Sequence, residues 1–371
     1  MSLEKIERIR SHNKFDDIDA LFIVKPQNVI YILDFKVESD VFIMIPREDL
    51  KETDGKIWIF LNALEYDQVK DIVSNNKTMS EMFKLWLLPS GEPKFIPNTI
   101  NNLKLKSVGF EEEFISVKRY EEWKNKFSNP NFIGISEIIN HARLVKTEKE
   151  IQTMREAAKL GDIGFKAIYD TIEEGKTEKE LAAEAEYAMR KAGSDGTSFD
   201  MIVASGEKSA YPHAMTSDKK VQDGDIIIVD IGARYNGYCS DMTRSFIFGK
   251  ESKNKGDLIN LVNDGEQYAL DNIKVGLNCR DLDKLTRDFF MDNKEEWGSR
   301  FLHSLGHGVG IDIHESPYLS PISQDILEEN MVLTIEPGLY IEGLGGARTE
   351  DQIVIKKNNY ISLTESKKFS Y

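Results

Sequence analysis

The chain has 371 residues, of which 40% are hydrophobic and 30% charged, a composition typical of a globular protein and not of a disordered one. Its 48 basic and 63 acidic residues leave a formal net charge of −15, which argues against nucleic-acid and membrane partners. Two cysteines exclude a disulfide framework, and neither a signal peptide nor a run of about 18 apolar residues is present, so we expect a cytoplasmic protein. At about 100–200 residues per domain, the length corresponds to two or three domains.

Residues 1–140 show the short apolar runs and helical spacings of an α/β domain. We predict a helix that includes Leu3, Ile6 and Ile9, and strands at Ala20–Val24, Asp40–Pro46 and Lys56–Leu61. Lys25-Pro26 ends the first strand, and Asn28–Phe35 begins the next element. No constellation of catalytic residues is evident in this region, and a second domain is predicted to span residues 141–371.

Two helices with the same start signal open the second domain. Thr147 and Thr177 each precede a glutamate by three positions, which is the spacing of a capping box. The second helix should end near Gly193, because glycine readily adopts the left-handed conformation that closes a helix. Strands predominate after it, with two further helices around Leu258–Ile273 and Cys279–Met291.

A first pair of carboxylates, Asp230 and Asp241, flanks a predicted hairpin. Asp230 follows the apolar run Ile226–Val229, and Asn236-Gly237 is a strong signal for a tight turn. A two-residue turn places Asp230 opposite Thr243 and diagonal to Asp241, whereas a four-residue loop places the two aspartates directly opposite each other. On one face of a sheet, about 5–8 Å apart, they need a cation between them. In the alternative interpretation, one aspartate caps a turn and the other is solvated.

A second pair, Glu336 and Glu350, lies at the edges of two apolar strand segments that a glycine-rich turn separates. Arg348 lies two positions before Glu350 and offers a cationic partner. For this pair, a structural salt bridge is therefore the alternative to a metal site.

Three of the six histidines fall within 12 positions between these pairs: His303, His307 and His314. The first two have the spacing of a helical zinc motif, but the glycines at positions 306, 308 and 310 argue against a helix. We interpret those glycines as a place where backbone approaches a ligand closely. A fourth histidine, His213, follows the predicted strand Ile202–Ala204.

Four carboxylates and at least one histidine are a plausible ligand set for two divalent cations with a bridging water or hydroxide. Oxygen-rich ligands with a single imidazole suit Mn²⁺, Co²⁺, Fe²⁺ or catalytic Zn²⁺. Two such metals about 3.5–4 Å apart are suited to activating water for hydrolysis. The residues therefore predict a dinuclear metallohydrolase.

At these residues the chain resembles the pita-bread metallopeptidases, which include proline dipeptidase, aminopeptidase P and methionine aminopeptidase. The resemblance runs from about Thr147 to Ile355 and rests on the segments VDIGARYNGYCSDMTRSF, HSLGHGVGIDIHESP, IEPGLY and ARTEDQIVI. The segment NVIYILDF looks like the creatinase-type domain of the proline-specific branch. The resemblance implies an α/β creatinase-type amino-terminal domain followed by an α+β pita-bread catalytic domain.

The resemblance also implies a role for each candidate residue. The implied metal ligands are Asp230, Asp241, His307, Glu336 and Glu350, with Asp241 and Glu350 bridging two ions, preferably Mn²⁺ or Co²⁺, with Zn²⁺ or Fe²⁺ as alternatives. Glu336 is also implied as the general base and acid. His213 and His314 are implied as catalytic residues that face the substrate. His303 and Arg348 are assigned to the substrate side, with Arg348 also pairing with ligand carboxylates.

The implied activity is hydrolysis of the Xaa-Pro bond at the amino terminus of dipeptides or short peptides, by a hydroxide that bridges two metals in a homodimeric enzyme. Dipeptidase and aminopeptidase P both remain open, because this chain has Tyr318 where several archaeal-type prolidases have an arginine. A creatinase-like hydrolase and an inactive binding module on the same fold are the alternatives. The complete ligand set argues against both.

Overall fold

The computed structural model describes residues 3–128 and 130–371. Tertiary contacts divide the chain into one unit that ends at Arg143 and a second that begins at Leu144. The predicted boundary between residues 140 and 141 lies inside the helix Glu137–Leu144. Among the described residues, no helix is both long enough and apolar enough to span a bilayer.

The first unit is an α/β domain with a six-stranded mixed sheet. Its helices are α1 (Leu3–Arg10), α2 (Pro26–Leu33), α3 (Ala63–Ser74), α4 (Lys77–Met82), α5 (Phe95–Asn101), α6 (Val117–Lys126) and α7 (Glu137–Leu144). Its strands are β1 (Ala20–Ile23), β2 (Phe42–Pro46), β3 (Ile57–Leu61), β4 (Phe83–Leu87), β5 (Ser107–Phe110) and β6 (Asn131–Gly134). They lie in the order β4-β3-β2-β1-β5-β6, with β2 antiparallel to both of its neighbours and the other pairs parallel.

The predicted helix and the three predicted strands of this unit are confirmed. The segment that begins after Lys25 is the helix α2, with Pro26 in its first turn, where a missing N–H has no cost. The core is rich in aromatic side chains. The rings of Phe22 and Phe42, from neighbouring strands, both pack edge to face on Trp123 of α6 with centroids 5.8 Å away.

The second unit is an α+β domain of four long helices and several small sheets. Its helices are α8 (Glu148–Thr171), α9 (Glu178–Lys191), α10 (Lys253–Asn272) and α11 (Cys279–Gly298). Its first strands are β7 (Gly196–Thr197), β8 (Ile202–Ser205), β9 (Ile226–Ile231), β10 (Ala233–Tyr235), β11 (Tyr238–Cys239) and β12 (Met242–Ile247). The remaining strands are β13 (Gly306–Gly308), β14 (Glu315–Leu319), β15 (Val332–Ile335), β16 (Gly338–Ile341), β17 (Gly345–Arg348), β18 (Asp351–Lys356) and β19 (Asn359–Ser362).

Both predicted capping boxes are present at the starts of α8 and α9. The hydroxyls of Thr147 and Thr177 accept the backbone N–H three residues on, and the glutamates at those positions bond back. The helix α9 ends at Lys191, and Gly193 follows with a φ of 111°. These local signals were therefore sufficient to place both helix starts and the end of α9.

Two sheets of the second unit hold the predicted site residues, one with the order β12-β9-β8 and one with the order β14-β13-β15-β18-β19. Side chains alternate along β9, so Ile227, Val229 and Ile231 pack with α8 and α9, while Asp230 lies on the opposite face. A bridge between Thr243 and Glu350 joins the two sheets. The strand pattern thus directs the carboxylates away from the layer formed by α8 and α9.

Candidate metal centre

The hairpin between β9 and β12 decides how the first two aspartates lie. Asn236 and Gly237 have φ values of 48° and 83°, so they form a two-residue turn with the positive φ angles that a tight hairpin requires. Asp230 consequently pairs with Thr243, and Asp241 is its diagonal neighbour on the same face. This is the first of the two arrangements expected from the sequence.

The second carboxylate pair lies where β15 ends and β18 begins. Ile335 pairs with Asp351, which brings the adjacent Glu336 and Glu350 to the same end of the two strands. The backbone N–H of Glu350 donates to the Thr243 carbonyl over 3.0 Å, and the Thr243 hydroxyl donates to Glu350 Oε2 over 2.7 Å. Both pairs therefore meet at the junction of the two sheets.

One cavity of about 330 Å³ lies at this junction. It is lined by all nine residues that the sequence singled out: His213, Asp230, Asp241, His303, His307, His314, Glu336, Arg348 and Glu350. Phe199, Ile202 and Pro212 add an apolar wall. The cavity thus offers acidic ligands on one part of its surface and an apolar surface for a substrate on another.

Three of the predicted ligands are close enough to hold one ion. Single donor atoms of Asp241, His307 and Glu350 all lie within 4.8 Å of one another. The ring nitrogen Nδ1 of His307 is 3.0 Å from the Gly308 carbonyl, which assigns the proton to Nδ1. The lone pair of Nε2 then faces Asp241 Oδ2 at 3.6 Å and Glu336 Oε1 at 3.3 Å. Such an arrangement is repulsive until a cation lies between these atoms.

Two of the four carboxylates, Asp241 and Glu350, are buried, and the other two are half-buried beside them, which makes their ionised forms unfavourable. Burial raises the pKa of Asp241 and of Glu350 well above the ordinary range, and neighbouring carboxylates raise both further. Burial raises the pKa of Glu336 to about 8 and also raises the pKa of Asp230. Among the described residues, Asp230 Oδ1 is buried with no hydrogen-bond partner. This donor set of carboxylates and one neutral imidazole fits divalent cations.

Arg348 compensates one of these carboxylates. The residue is buried, with 5% of its surface exposed, and its guanidinium donates to Asp230 Oδ2 over 2.6 Å. It also donates to the hydroxyls of Thr243 and Tyr340 over 3.1 and 2.8 Å. Arg348 thus forms a salt bridge with Asp230 of the first pair, and not with Glu336 or Glu350, the pair for which it was the alternative to a metal. Among the described residues, no lysine or arginine pairs with the other three carboxylates.

Tyr340 is a site residue that the sequence analysis missed. Its hydroxyl accepts from Arg348 and lies 2.9 Å from Nε2 of His303, whose Nδ1 is 2.8 Å from the Ser304 carbonyl. Burial lowers the pKa of His303 to about 3, so the ring is neutral and its Nε2 accepts a hydrogen bond from the tyrosine hydroxyl. The residue was missed because a tyrosine in an apolar strand is indistinguishable from a core residue without its contacts.

His213 and His314 are exposed residues at the mouth of the cavity. His213 belongs to the loop between β8 and β9. The His314 ring packs edge to face on the His307 ring with centroids 4.3 Å apart. Burial lowers the pKa of His314, and the charge of Asp230 opposes that shift. Both imidazoles are thus placed to reach a molecule that enters from solvent.

The glycines around His307 have a packing role in addition to the one expected. A Cβ at Gly306 would lie 2.0 Å from the Thr334 carbonyl oxygen, and one at Gly308 would lie 2.3 Å from the Ser316 carbonyl oxygen. These glycines therefore let neighbouring strands approach closely. Gly306 also lines the cavity, so the expected approach of backbone to a ligand stays a prediction. The close strand packing also brings the Thr334 hydroxyl to the backbone N–H of His307, which donates to it over 3.1 Å.

Family models match both units. Residues 152–357 match metallopeptidase family M24. Residues 5–145 match the creatinase/prolidase amino-terminal domain. The predicted fold class, an α/β creatinase-type domain followed by an α+β pita-bread domain, is confirmed by these matches and by the similar structures below.

Known proteins resemble the chain over nearly its whole length. The Xaa-Pro dipeptidase of Pyrococcus furiosus is 32% identical over 98% of this chain and 99% of that protein. The structure of an Xaa-Pro dipeptidase from Bacillus anthracis has a TM-score of 0.90 and 32% identity, covering 99% of both chains. An X-Pro aminopeptidase from Thermotoga maritima has a TM-score of 0.86 and 33% identity, covering 96% of this chain and 98% of that one.

Proposed function

The chain belongs to metallopeptidase family M24, and from that premise we propose that it hydrolyses the Xaa-Pro bond at the amino terminus of dipeptides or short peptides. Relatives named for this activity cover nearly the whole chain. The observation that carries the proposal is the cluster of four carboxylates, two of them buried, and one neutral imidazole beside an apolar wall. Such a cluster requires cations, and the apolar wall suits a proline ring.

Five residues hold two divalent metals in this proposal: Asp230, Asp241, His307, Glu336 and Glu350. Asp241 and Glu350 bridge the two ions, and Mn²⁺ or Co²⁺ suits the oxygen-rich set better than Zn²⁺ or Fe²⁺. When bound, the metals supply an activated water and offset the negative charge that develops on the peptide oxygen. The hydrogen bonds of Arg348 to Asp230 and of Thr243 to Glu350 hold those carboxylates in place.

The proton transfers and the orientation of the substrate are the work of the remaining residues. Glu336 accepts at its carboxylate a proton from the attacking water and passes it to the prolyl nitrogen. His213 and His314, at the mouth of the cavity, donate hydrogen bonds to the oxygen of the tetrahedral intermediate. His303 lines the substrate side, and burial lowers its pKa to about 3, so the neutral ring accepts a hydrogen bond from Tyr340.

Substrate length is the finer part of the proposal. Among the described residues that line the cavity, Arg348 is the one cation besides histidine, and its N–H groups already bond to Asp230, Thr243 and Tyr340. In a dipeptide, the free carboxylate lies next to the scissile bond. The described residues that line the cavity offer no guanidinium that is free to bind it. Tyr318 lines this part of the cavity as well. These features favour peptides longer than two residues, as expected of an aminopeptidase P.

A length series tests the proposal. Chelated protein, with Mn²⁺ or Co²⁺ added back, is assayed on one dipeptide, one tripeptide and one longer peptide that all begin Xaa-Pro. Metal-dependent release of the first residue from each supports the proposal, and a higher kcat/KM for the longer peptides supports the aminopeptidase form. No release from any of them contradicts it and favours a creatinase-like hydrolase or a binding module. We also propose that the chain forms a homodimer, which light scattering tests.

A further inference from the structure

The position of His213 depends on the loop that carries it. Among the described residues, His213 makes no hydrogen bond, and it is an exposed residue. It lies in the connection between β8 and β9, residues 206–225, of which we call residues 206–217 the loop of His213. An imidazole that must reach a reacting atom cannot be placed by its own contacts here, so the anchors of the loop determine where it lies.

A single buried carboxylate, that of Glu178, joins both ends of this loop. It has no exposed surface and lies in the first turn of α9. Its Oε1 accepts the backbone N–H and the hydroxyl of Ser205, both over 2.9 Å. Its Oε2 accepts from Lys208 Nζ over 2.7 Å and from the backbone N–H and hydroxyl of Ser217 over 3.0 and 2.7 Å. Five donors thus converge on two oxygen atoms, two from the last residue of β8 and three from the loop.

Lys208 extends this anchor towards His213. Its Nζ also donates to the Met215 carbonyl over 2.8 Å and to the Ser217 hydroxyl over 2.6 Å. The Met215 carbonyl lies two residues after His213, so the two halves of the loop are tied together close to the imidazole. The ion pair of Lys208 with Glu178 therefore restrains the loop at its middle as well as at its ends.

The helix alone does not explain a carboxylate at position 178. The capping box of Thr177 and Glu180 already satisfies the start of α9. Burying an anion costs several kcal/mol unless donors surround it. Among the described residues, the hydrogen-bond donors to the Glu178 carboxylate belong to Ser205 and to the loop that carries His213, and none belongs to the helix.

We propose that Glu178 is a positioning residue for His213, acting through the loop 206–217 and not through contact with the substrate. This inference rests on the proposed function, because His213 has its role there. It predicts that loss of the anchor lowers kcat, which depends on the placement of the imidazole, and leaves KM and metal content nearly unchanged. It also predicts that the anchor has no further effect once the imidazole is removed.

The test is a double-mutant cycle with manganese-loaded protein on an Xaa-Pro tripeptide. Glu178→Gln removes the charge, and Ser217→Ala removes one donor with little risk to folding. We expect each to lower kcat roughly 10-fold or more, and to change kcat less than about 2-fold when His213 is already replaced by alanine. Effects that multiply in the double variants, or wild-type kcat in both single variants, would overturn the inference.

Asp162→Asn is the matched control. Asp162 of α8 also accepts from a distant segment, namely from the backbone N–H groups of Glu365 and Ser366 and from the Ser366 hydroxyl. Asp162 thus anchors a different segment, and neither it nor its partners Glu365 and Ser366 belong to the loop of His213. Any effect of Asp162→Asn on kcat should therefore multiply with that of His213→Ala.

Hydrogen exchange separates this inference from the proposed function. Glu178→Gln should increase amide exchange in residues 206–217, while Asp162→Asn should leave that segment unchanged. Unchanged exchange there in Glu178→Gln refutes the anchor even if the enzyme is active. Wild-type protein that hydrolyses no Xaa-Pro peptide refutes the proposed function. Wild-type kcat in His213→Ala refutes the catalytic role of His213 and this inference with it, while the proposed hydrolysis stands.

Discussion

Each unit of the protein contains a carboxylate that is almost fully buried, and the two have opposite surroundings. Glu111, in the first unit, is 2% exposed and accepts from the backbone N–H groups of Val24 and Lys25 and from the Asn28 amide. Asp241, in the second unit, is 4% exposed and faces other carboxylates, of which Glu350 raises its pKa most. Burial is therefore no sign of function by itself, whereas the partners of the buried group are.

The physical difference lies in what offsets the loss of hydration. Around Glu111, protein N–H groups replace water, so this site is complete without a ligand. Around Asp241, further anions replace water, so only cations from solution can complete the site. We therefore expect that metal removal changes the effect of substituting Asp241 in the second unit, and that it does not change the effect of substituting Glu111 in the first.

The largest effect is expected from Asp241→Ala. Loss of a carboxylate that bridges both metals should lower kcat/KM by on the order of 10³-fold or more, because metal catalysis supplies several kcal/mol of transition-state stabilisation. The variant should remain folded, since the substitution also removes a buried charge. Peptidase assays, metal analysis and circular dichroism check this. Full activity in a folded variant would contradict the bridging role.

Metal removal should destabilise the native protein. At a free Mn²⁺ concentration of 100 times Kd, bound metal adds about 2.7 kcal/mol to the free energy of unfolding, and a chelator removes it. In chelated protein, Asp241→Asn should unfold at a higher temperature than the wild type, because one of the four clustered anions is gone. Scanning calorimetry with and without chelator measures both. Equal stability of chelated and loaded wild type would argue against a metal site.

Glu111→Ala should have the reverse pattern. It leaves two backbone N–H groups and the Asn28 amide without their acceptor, which lowers the free energy of unfolding by about 2 kcal/mol. The loss should be the same with and without chelator, and kcat should be unchanged. Denaturant unfolding in both conditions checks this. A metal-dependent loss would break the distinction between the two carboxylates.

A smaller effect should follow from Tyr340→Phe. The ring still fills its buried position, but Arg348 and His303 lose the hydroxyl that joins them. Loss of a hydrogen bond that orients ligand-side residues typically lowers activity by about 10-fold, or about 1.4 kcal/mol. We expect kcat/KM to fall by that amount with metal content unchanged. A fall as large as that of Asp241→Ala, or loss of metal, would mean that Tyr340 is needed to hold the ions.

The signals that worked in the sequence were those with a local physical cause. Capping boxes placed α8 and α9, and Asn236-Gly237 marked a hairpin because only such residues adopt its positive φ angles. Alternation along β9 placed Asp230 on the face away from α8 and α9, since side chains on a strand alternate. A glycine in the sequence does not show which group comes close to it. At Gly306 the structure shows the neighbouring strand β15 in close contact.

The sequence by itself indicated the fold class, through its resemblance to the pita-bread metallopeptidases. It also indicated the candidate residues, because periodicity, caps and flanking motifs are properties of contiguous segments. Only the tertiary structure decided the partners: that Arg348 pairs with Asp230, that Tyr340 joins Arg348 to His303, and that Glu178 holds the loop of His213. Such contacts join residues up to 118 positions apart. They depend on how sheets and loops meet, and no pattern within one segment contains that information.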